Sequence, residues 1–407
     1  MIRAEAEVLT VLFVIGNLDV GGAERHLAQV LPKLRQVGFS PIVYTLTHKG
    51  KLADVLDSEG VRVVEPWFSA YFRRMPGLFR RLLLTSFSFM AFCILMMRCR
   101  PSIVHFFLPE SYLFGGVCSL MMGPRIKVMS RRSLNLYQLK YPLLARVERM
   151  LHSGMNAILG NSKAVVRELG GEGVKANRLG LLYNGIELDV FDKLPSRFLV
   201  RSQLGIGQDA LMMVCVANLI PYKGHIDLIH ALSEIHMALP RDWVMALVGR
   251  DSGIAPELKA LAHRLGVADH ILWLGERSDA IAICSAADIG VLSSHQEGFS
   301  NSVLEGMAAG VAMVVTDVGG NAEAVVDGVS GLVVPARDPS ALGQALLRLA
   351  NEPAARERMA QSGQQRVAEN FSLAACVNQY AGLYKALLSQ PDCDVQQALD
   401  AAQNPRS

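Results

Sequence analysis

The stretch Ile289-Gly290-Val291-Leu292-Ser293-Ser294-His295-Gln296-Glu297-Gly298-Phe299-Ser300-Asn301-Ser302-Val303-Leu304-Glu305-Gly306-Met307 reads as strand, turn and helix in direct succession. A short unbroken apolar run that feeds a helix through a glycine-containing turn is the unit of a parallel sheet buried on both faces. Backbone N–H groups at such a helix start form an anion site suited to phosphate. Glu297 before the turn and Glu305 inside the helix flank whatever that site holds, and carboxylates accept hydrogen bonds from sugar hydroxyls. A second reading stands beside this one. Ser302-x-x-Glu305 is also the spacing of a capping box, in which Glu305 serves only the helix end.

Working outward, the same alternation recurs along the whole chain. Strand candidates in the first half are 8–15, 41–45, 103–107, 127–130 and 157–160. In the second half they are 211–217, 244–248, 271–274, 289–292, 312–316 and 331–334. A chain of 407 residues exceeds the size at which one core keeps growing. The expected architecture is therefore α/β, with two doubly wound Rossmann-like domains facing each other across a cleft. We place the first over 1–195, ending in the polar, Pro195-containing stretch 189–197, and the second over 196–372. A docking helix over 373–390 follows, with Val377, Tyr380, Leu383, Tyr384, Leu387 and Leu388 as its apolar stripe. Residues 391–407 lack a sustained apolar face and are expected to be disordered.

With half its residues hydrophobic, the chain is not a disordered one. A net charge of +3 is too small to imply nucleic-acid binding. The seven cysteines are scattered, and no His, Cys, Asp or Glu grouping has ligand spacing, so no metal is expected. A reduced, cytoplasmic compartment fits that usage. One segment points to a membrane. The run 82–97 (LLLTSFSFMAFCILMM) is almost wholly apolar but shorter than the roughly 20 residues of a bilayer span. It reads as a core helix. The preceding piece 71–81, with Arg73, Arg74, Arg80 and Arg81 among aromatics, suits an anionic leaflet, a peripheral placement on the inner face of the cytoplasmic membrane.

Five motifs in order carry a family resemblance. They are Gly21-Gly22-Ala23-Glu24, Tyr183-Asn184-Gly185-Ile186, Tyr222-Lys223-Gly224-His225, Ser293-x-x-x-Glu297-Gly298-Phe299-Ser300 with Glu305, and Thr316-Asp317-Val318-Gly319-Gly320 followed by Asp327-Gly328. Together they resemble glycosyltransferase family 4 (group 1), the retaining transferases of the two-domain GT-B fold. The resemblance implies a nucleotide-sugar donor with UDP or GDP, a glycan or lipid-linked acceptor, and no cofactor. It places Glu305 on the donor ribose, Glu297 beside the transferred sugar, and Lys223 on the diphosphate. It also places the backbone of Phe299, Ser300 and Asn301 on sugar and distal phosphate, and Gly21 and Gly22 facing the donor. Glu297 and Lys223 are the catalytic candidates.

The sequence departs from the family pattern twice. Asn218 stands where many members carry an arginine, so it offers a hydrogen bond without charge. After strand 127–130, Ser130-Arg131-Arg132-Ser133 replaces an expected histidine, and Arg131 or Arg132 could bind an anionic acceptor or phosphate. His105 reads as a buried, hydrogen-bonded strand histidine, so no catalytic histidine is transferred to any position. A sugar-nucleotide epimerase on the same fold and a non-catalytic nucleotide-sugar binder are the alternatives.

Overall fold

The structure, a computed structural model, describes residues 9–66, 77–240 and 242–403. Two units emerge, Met1–Gly185 with Leu373–Ser407, and Ile186–Ser372. The stretch 186–195, expected in the first domain, thus belongs to the second. Within it Ser196 caps the helix Arg197–Leu204, accepting from the Leu199 N–H.

The first unit is built on a parallel sheet of β1 (Leu9–Asn17), β2 (Phe39–His48), β3 (Arg62–Val64), β4 (Ile103–Phe107), β5 (Ile126–Arg131), β6 (Ala157–Gly160) and β7 (Leu179–Leu181), in the order β3-β2-β1-β4-β5-β6-β7. Its strands are mostly apolar because both faces are covered, with His105 in β4 and Ser130 and Arg131 at the end of β5 among the buried polar exceptions. In β1, Val11, Phe13 and Ile15 pack under the helix Gly22–Gln36 and the helix Leu373–Ser389. Leu12 and Val14 point the other way, under the helices Gly77–Cys99, Leu108–Met122 and Pro142–His152.

The second unit holds β8 (Leu211–Val216), β9 (Trp243–Val248), β10 (Ile271–Gly275), β11 (Ile289–Leu292), β12 (Ala312–Thr316) and β13 (Gly331–Val334), in the order β10-β9-β8-β11-β12-β13. Its direction of winding reverses between β8 and β11. Open parallel sheets bind ligands beyond the carboxyl ends of the strands at such a reversal.

Two expectations need correction. The tail does not stay unstructured, since Val395–Gln403 is a helix whose Val395 and Leu399 are wholly buried against the first unit. It also reaches the helix Leu373–Ser389 through small residues: a Cβ on Gly382 would stand 2.3 Å from that of Ala402. β3 and β7, three residues each, were not foreseen. The run 82–97 falls inside the helix Gly77–Cys99, with Phe92, Leu95 and Met96 buried. Among the described residues no helix is long and apolar enough to cross a membrane. Arg73 and Arg74 lie outside the described residues, as do the side chains of Arg80 and Arg81.

Candidate active site

In the second unit, loops leaving the carboxyl ends of β8, β11 and β12 converge. After β8 the chain runs through Ala217 and Asn218 to the turn Pro221–Lys223 and then Gly224. Gly224 has φ +69°, and a Cβ there would lie 1.9 Å from the Ser293 carbonyl oxygen. Only glycine tolerates both the conformation and the approach. The two loops are stitched together by the Ser293 hydroxyl donating to the Lys223 carbonyl (3.1 Å) and the His295 N–H donating to the Tyr222 carbonyl (2.7 Å).

This seating brings Lys223 Nζ to 2.5 Å from Glu297 Oε1, and the Ser294 hydroxyl donates to the same oxygen at 2.6 Å. The two charged side chains are 17% and 10% exposed, sheltered yet reachable. Glu297 is held from its other side as well. Gly319, with φ +55°, brings its backbone so close that a Cβ would lie 1.8 Å from the Glu297 carbonyl oxygen. The Gly320 N–H donates to the Gly298 carbonyl (2.9 Å), and Thr316 Oγ1 donates to the Ser294 carbonyl (2.6 Å). The turn after β12 thus shapes the wall behind Glu297.

The helix begins at Asn301, with Ser300 as its N-cap and no side chain accepting there. Glu305 therefore sits at the fifth helical position, whereas the capping box needs its acid at the third. Ser302 lies inside the helix and does not cap it, so the capping-box reading of Ser302-x-x-Glu305 does not describe this helix start. Glu305 is 8% exposed. Beneath the two glutamates lie two buried thiols. Burial, with a contribution from Glu305, pushes Cys284 up to about 12, and burial does the same to Cys215 beside Lys223 and Glu297. Both are inert at neutral pH. The Phe299 ring turns into the unit and meets Phe371 at 5.3 Å between centroids, so only its backbone can serve a ligand. Asn218 ties down the neighbouring loop, its side-chain oxygen accepting from the Arg250 N–H at 3.0 Å.

Two histidines beside Lys223 had no role in the sequence reading. His225 is buried, and burial first, then the Lys223 charge, lower its pKa to about 4, so its imidazole is neutral at pH 7. His295 Nε2 lies 2.7 Å from Asp227 Oδ2, which pins the loop that carries Glu297. Both stand within the motifs, but no single spacing gave them a function. Among the described residues no group of three or more His, Cys, Asp or Glu side chains could hold a metal ion.

The first unit places its candidates differently. Gly21 is the N-cap of the helix Gly22–Gln36 in an extended conformation (φ −144°), and the space of its missing Cβ is taken by the Glu24 carboxylate, 2.3 Å away. Gly22 is exposed, and nothing stands within 4 Å of where its Cβ would be. Space for a ligand thus exists at Gly22 and not at Gly21.

Arg131 requires a correction. It is fully buried, bound to Glu148 at 2.5 Å and to Glu172 at 2.5 and 2.8 Å through both ends of its guanidinium. Both carboxylates already saturate its outer face, so it cannot also meet an acceptor phosphate. Burial works against ionised Glu172, yet hydrogen bonds from His152 and Arg131 hold its carboxyl well below the usual range. Arg132 bonds Asn184 and Tyr380 (2.6 Å), approaches His26 Nε2 at 2.7 Å and lies over the Phe107 ring. It is half-buried rather than sealed. His105 is buried as expected, between the Tyr384 hydroxyl (2.7 Å) and the Ser130 hydroxyl (2.8 Å). Burial, then Arg132, keep its pKa well below that of a free imidazole.

Comparison with known proteins adds to this geometry. Residues 196–366 match the family described as Glycosyl transferases group 1, and residues 20–190 match Glycosyltransferase Family 4. A D-inositol 3-phosphate glycosyltransferase of Thermomonospora curvata is 31% identical over 58% of this chain and 58% of its own length. The match thus spans little more than half of that relative. The protein of the same name from Corynebacterium urealyticum is 24% identical over 93% of both chains. The solved structure of Anabaena HepE in complex with UDP and glucose superposes with a TM-score of 0.80 at 21% identity, covering 94% of this chain and all of that one. At that identity the likeness concerns the GT-B fold.

Proposed function

Since this chain belongs to the group 1, family 4 glycosyltransferases of GT-B fold, we propose that it is a retaining hexosyltransferase drawing on a UDP- or GDP-sugar. The observation that carries the reading is the Lys223–Glu297 pair, 2.5 Å apart and partly open, at the carboxyl ends of β8 and β11 beside the helix start at Asn301. In this reading the donor diphosphate takes Lys223 from Glu297, and the first-turn amides of the helix share its charge. The released Glu297 carboxylate accepts from a sugar hydroxyl and orients the ring. Glu305 accepts from the ribose. The bond from the sugar's anomeric carbon to the diphosphate breaks, the acceptor oxygen bonds to the same face, and its proton passes to the leaving phosphate. Donors aimed at developing charge supply the largest share of such catalysis. No cofactor is involved in this reading. UDP is favoured because the Anabaena protein is named as binding it.

The acceptor in this proposal is a glycan or a lipid-linked molecule, met at the inner face of the cytoplasmic membrane. Incubation with labelled UDP- and GDP-sugars and a membrane extract tests it. Label moving into glycan or lipid supports transfer. Isomerised nucleotide sugar without acceptor would instead make the protein an epimerase, and tight donor binding with neither product would make it a binder.

A further inference from the structure

The helix Pro142–His152 is turned inside out relative to an ordinary surface helix. Its buried residues are Ala145, Glu148, Leu151 and His152. Glu148 is committed to Arg131, and His152 lies 3.0 Å from Glu172. Because the inward face serves this ion network, the outward face takes the apolar residues. Leu143 is 77% exposed and Met150 72%, with Leu144 and Val147 exposed between them. The other exposed side chains along this stretch of helix are Arg146 and Arg149, and among the described residues no carboxylate pairs with either. Pro142, Leu143, Arg146, Arg149 and Met150 line a shallow groove there.

The surface continues sideways. This helix packs beside Leu108–Met122, which packs beside Gly77–Cys99, all on one face of the sheet. Met121 on the second is 79% exposed and Met97 on the third 58%. Contiguous apolar patches of this kind mark interaction sites.

Charge decides the occupant. Residues 77–153 hold eleven Lys and Arg against two acids, Glu110 and Glu148, a local balance of +9. With +3 for the whole chain, the remainder carries 3 − 9 = −6. Glu148 and its partner Arg131 are buried together and drop out of the surface balance, and Glu110 lies at the far end of its helix beside Gly16. A two-fold contact with a second copy would set this arginine-bearing face against itself with no carboxylates to neutralise it. An anionic lipid surface satisfies both features at once, taking the leucines and methionines among its acyl chains and the arginines at its headgroups.

We propose that the outward face of the helix Pro142–His152, extended by Met121 and Met97, docks this protein on an anionic membrane leaflet. The inference deepens the membrane placement in the proposed function by naming the surface, and it is separable from the transfer chemistry. Co-flotation with vesicles of phosphatidylcholine alone, or mixed with phosphatidylglycerol, tests it. The wild-type protein is expected to float with the mixed vesicles and to lose most of that binding at high salt. Arg146→Gln with Arg149→Gln should lower partition about twenty-fivefold, at about fivefold per charge. Leu143→Ser with Met150→Ser should lower it at least about tenfold. All four side chains are exposed, so the unfolding midpoint should stay in place.

Equal flotation with neutral and mixed vesicles would overturn the proposal, as would variants that float like wild type. So would sedimentation showing a dimer that Leu143→Ser dissolves, since a second copy would then cover the face. Vesicle binding without sugar transfer from any donor sinks only the transferase reading. Transfer to a soluble acceptor without vesicle binding sinks only this one.

Discussion

Arg131 and Lys223 are the same kind of residue in the same kind of place. Each is a cation at the carboxyl end of a parallel sheet, bonded to a glutamate at 2.5 Å. Arg131 ends β5, is wholly buried and answers two carboxylates through its terminal nitrogens, so no ligand reaches it. Lys223 answers one carboxylate, stays 17% exposed and is held by backbone contacts at glycine turns. A cation whose partners are all internal belongs to the fold. One with a single exchangeable partner at a reversal of sheet winding can pass to an anionic ligand.

The largest expected effect breaks the sealed cluster. Arg131→Met leaves Glu148 and Glu172 buried without their cation, which costs about 3–5 kcal/mol. In a unit of this size that is a fall of about 10 °C in the unfolding midpoint. Calorimetry checks it, and an unchanged midpoint would mean that the cluster is not sealed. Lys223→Ala and Glu297→Ala should do the reverse, lowering transfer about a hundred- to a thousandfold with little change in melting. Turnover with a labelled donor beside a melting curve reads both effects.

Acid separates the units next. Burial keeps His26 and His105 in the first unit and His225 in the second below the ordinary imidazole pKa. As pH falls below about 6.5, the unfolded chain takes up protons that these folded imidazoles refuse, so stability drops. For His225 the loss runs down to about pH 4. The first unit, with two such groups, should lose amide-exchange protection before the second on titration from pH 7.5 to pH 5.

The smallest effect concerns Gly22. Alanine there meets nothing within 4 Å and suits the helix start, so Gly22→Ala should leave stability level or raise it by about 0.4–1 kcal/mol. If the loop meets a ligand, transfer falls all the same. Unchanged turnover would reduce Gly21-Gly22 to a helix entry.

The sheets were legible because β8 is an unbroken apolar run and β1, β4 and β12 are nearly so, as doubly covered strands require. β3 and β7 carry too few residues to show a period. The helix Val395–Gln403 escaped because Ala398, Ala402 and Gly382 supply close contact where a stripe of large residues was sought. Within the site, Lys223 and Glu297 were legible from order and spacing, while the neutral state of His225 depends on burial that no local pattern reveals. Arg131 misled for a related reason. Its partners lie 17 and 41 residues away, beyond any reading of the neighbouring sequence.

The most direct test of the Lys223–Glu297 pair as the donor site is the thermal shift produced by UDP and GDP on wild type and on Lys223→Ala. A nucleotide that binds only the folded state raises the midpoint, and the rise grows with the logarithm of its concentration relative to Kd. The expected result is a clear rise for wild type with one of the two nucleotides and a largely lost rise for Lys223→Ala. No shift in wild type with either nucleotide, or an equal shift in both proteins, would contradict it.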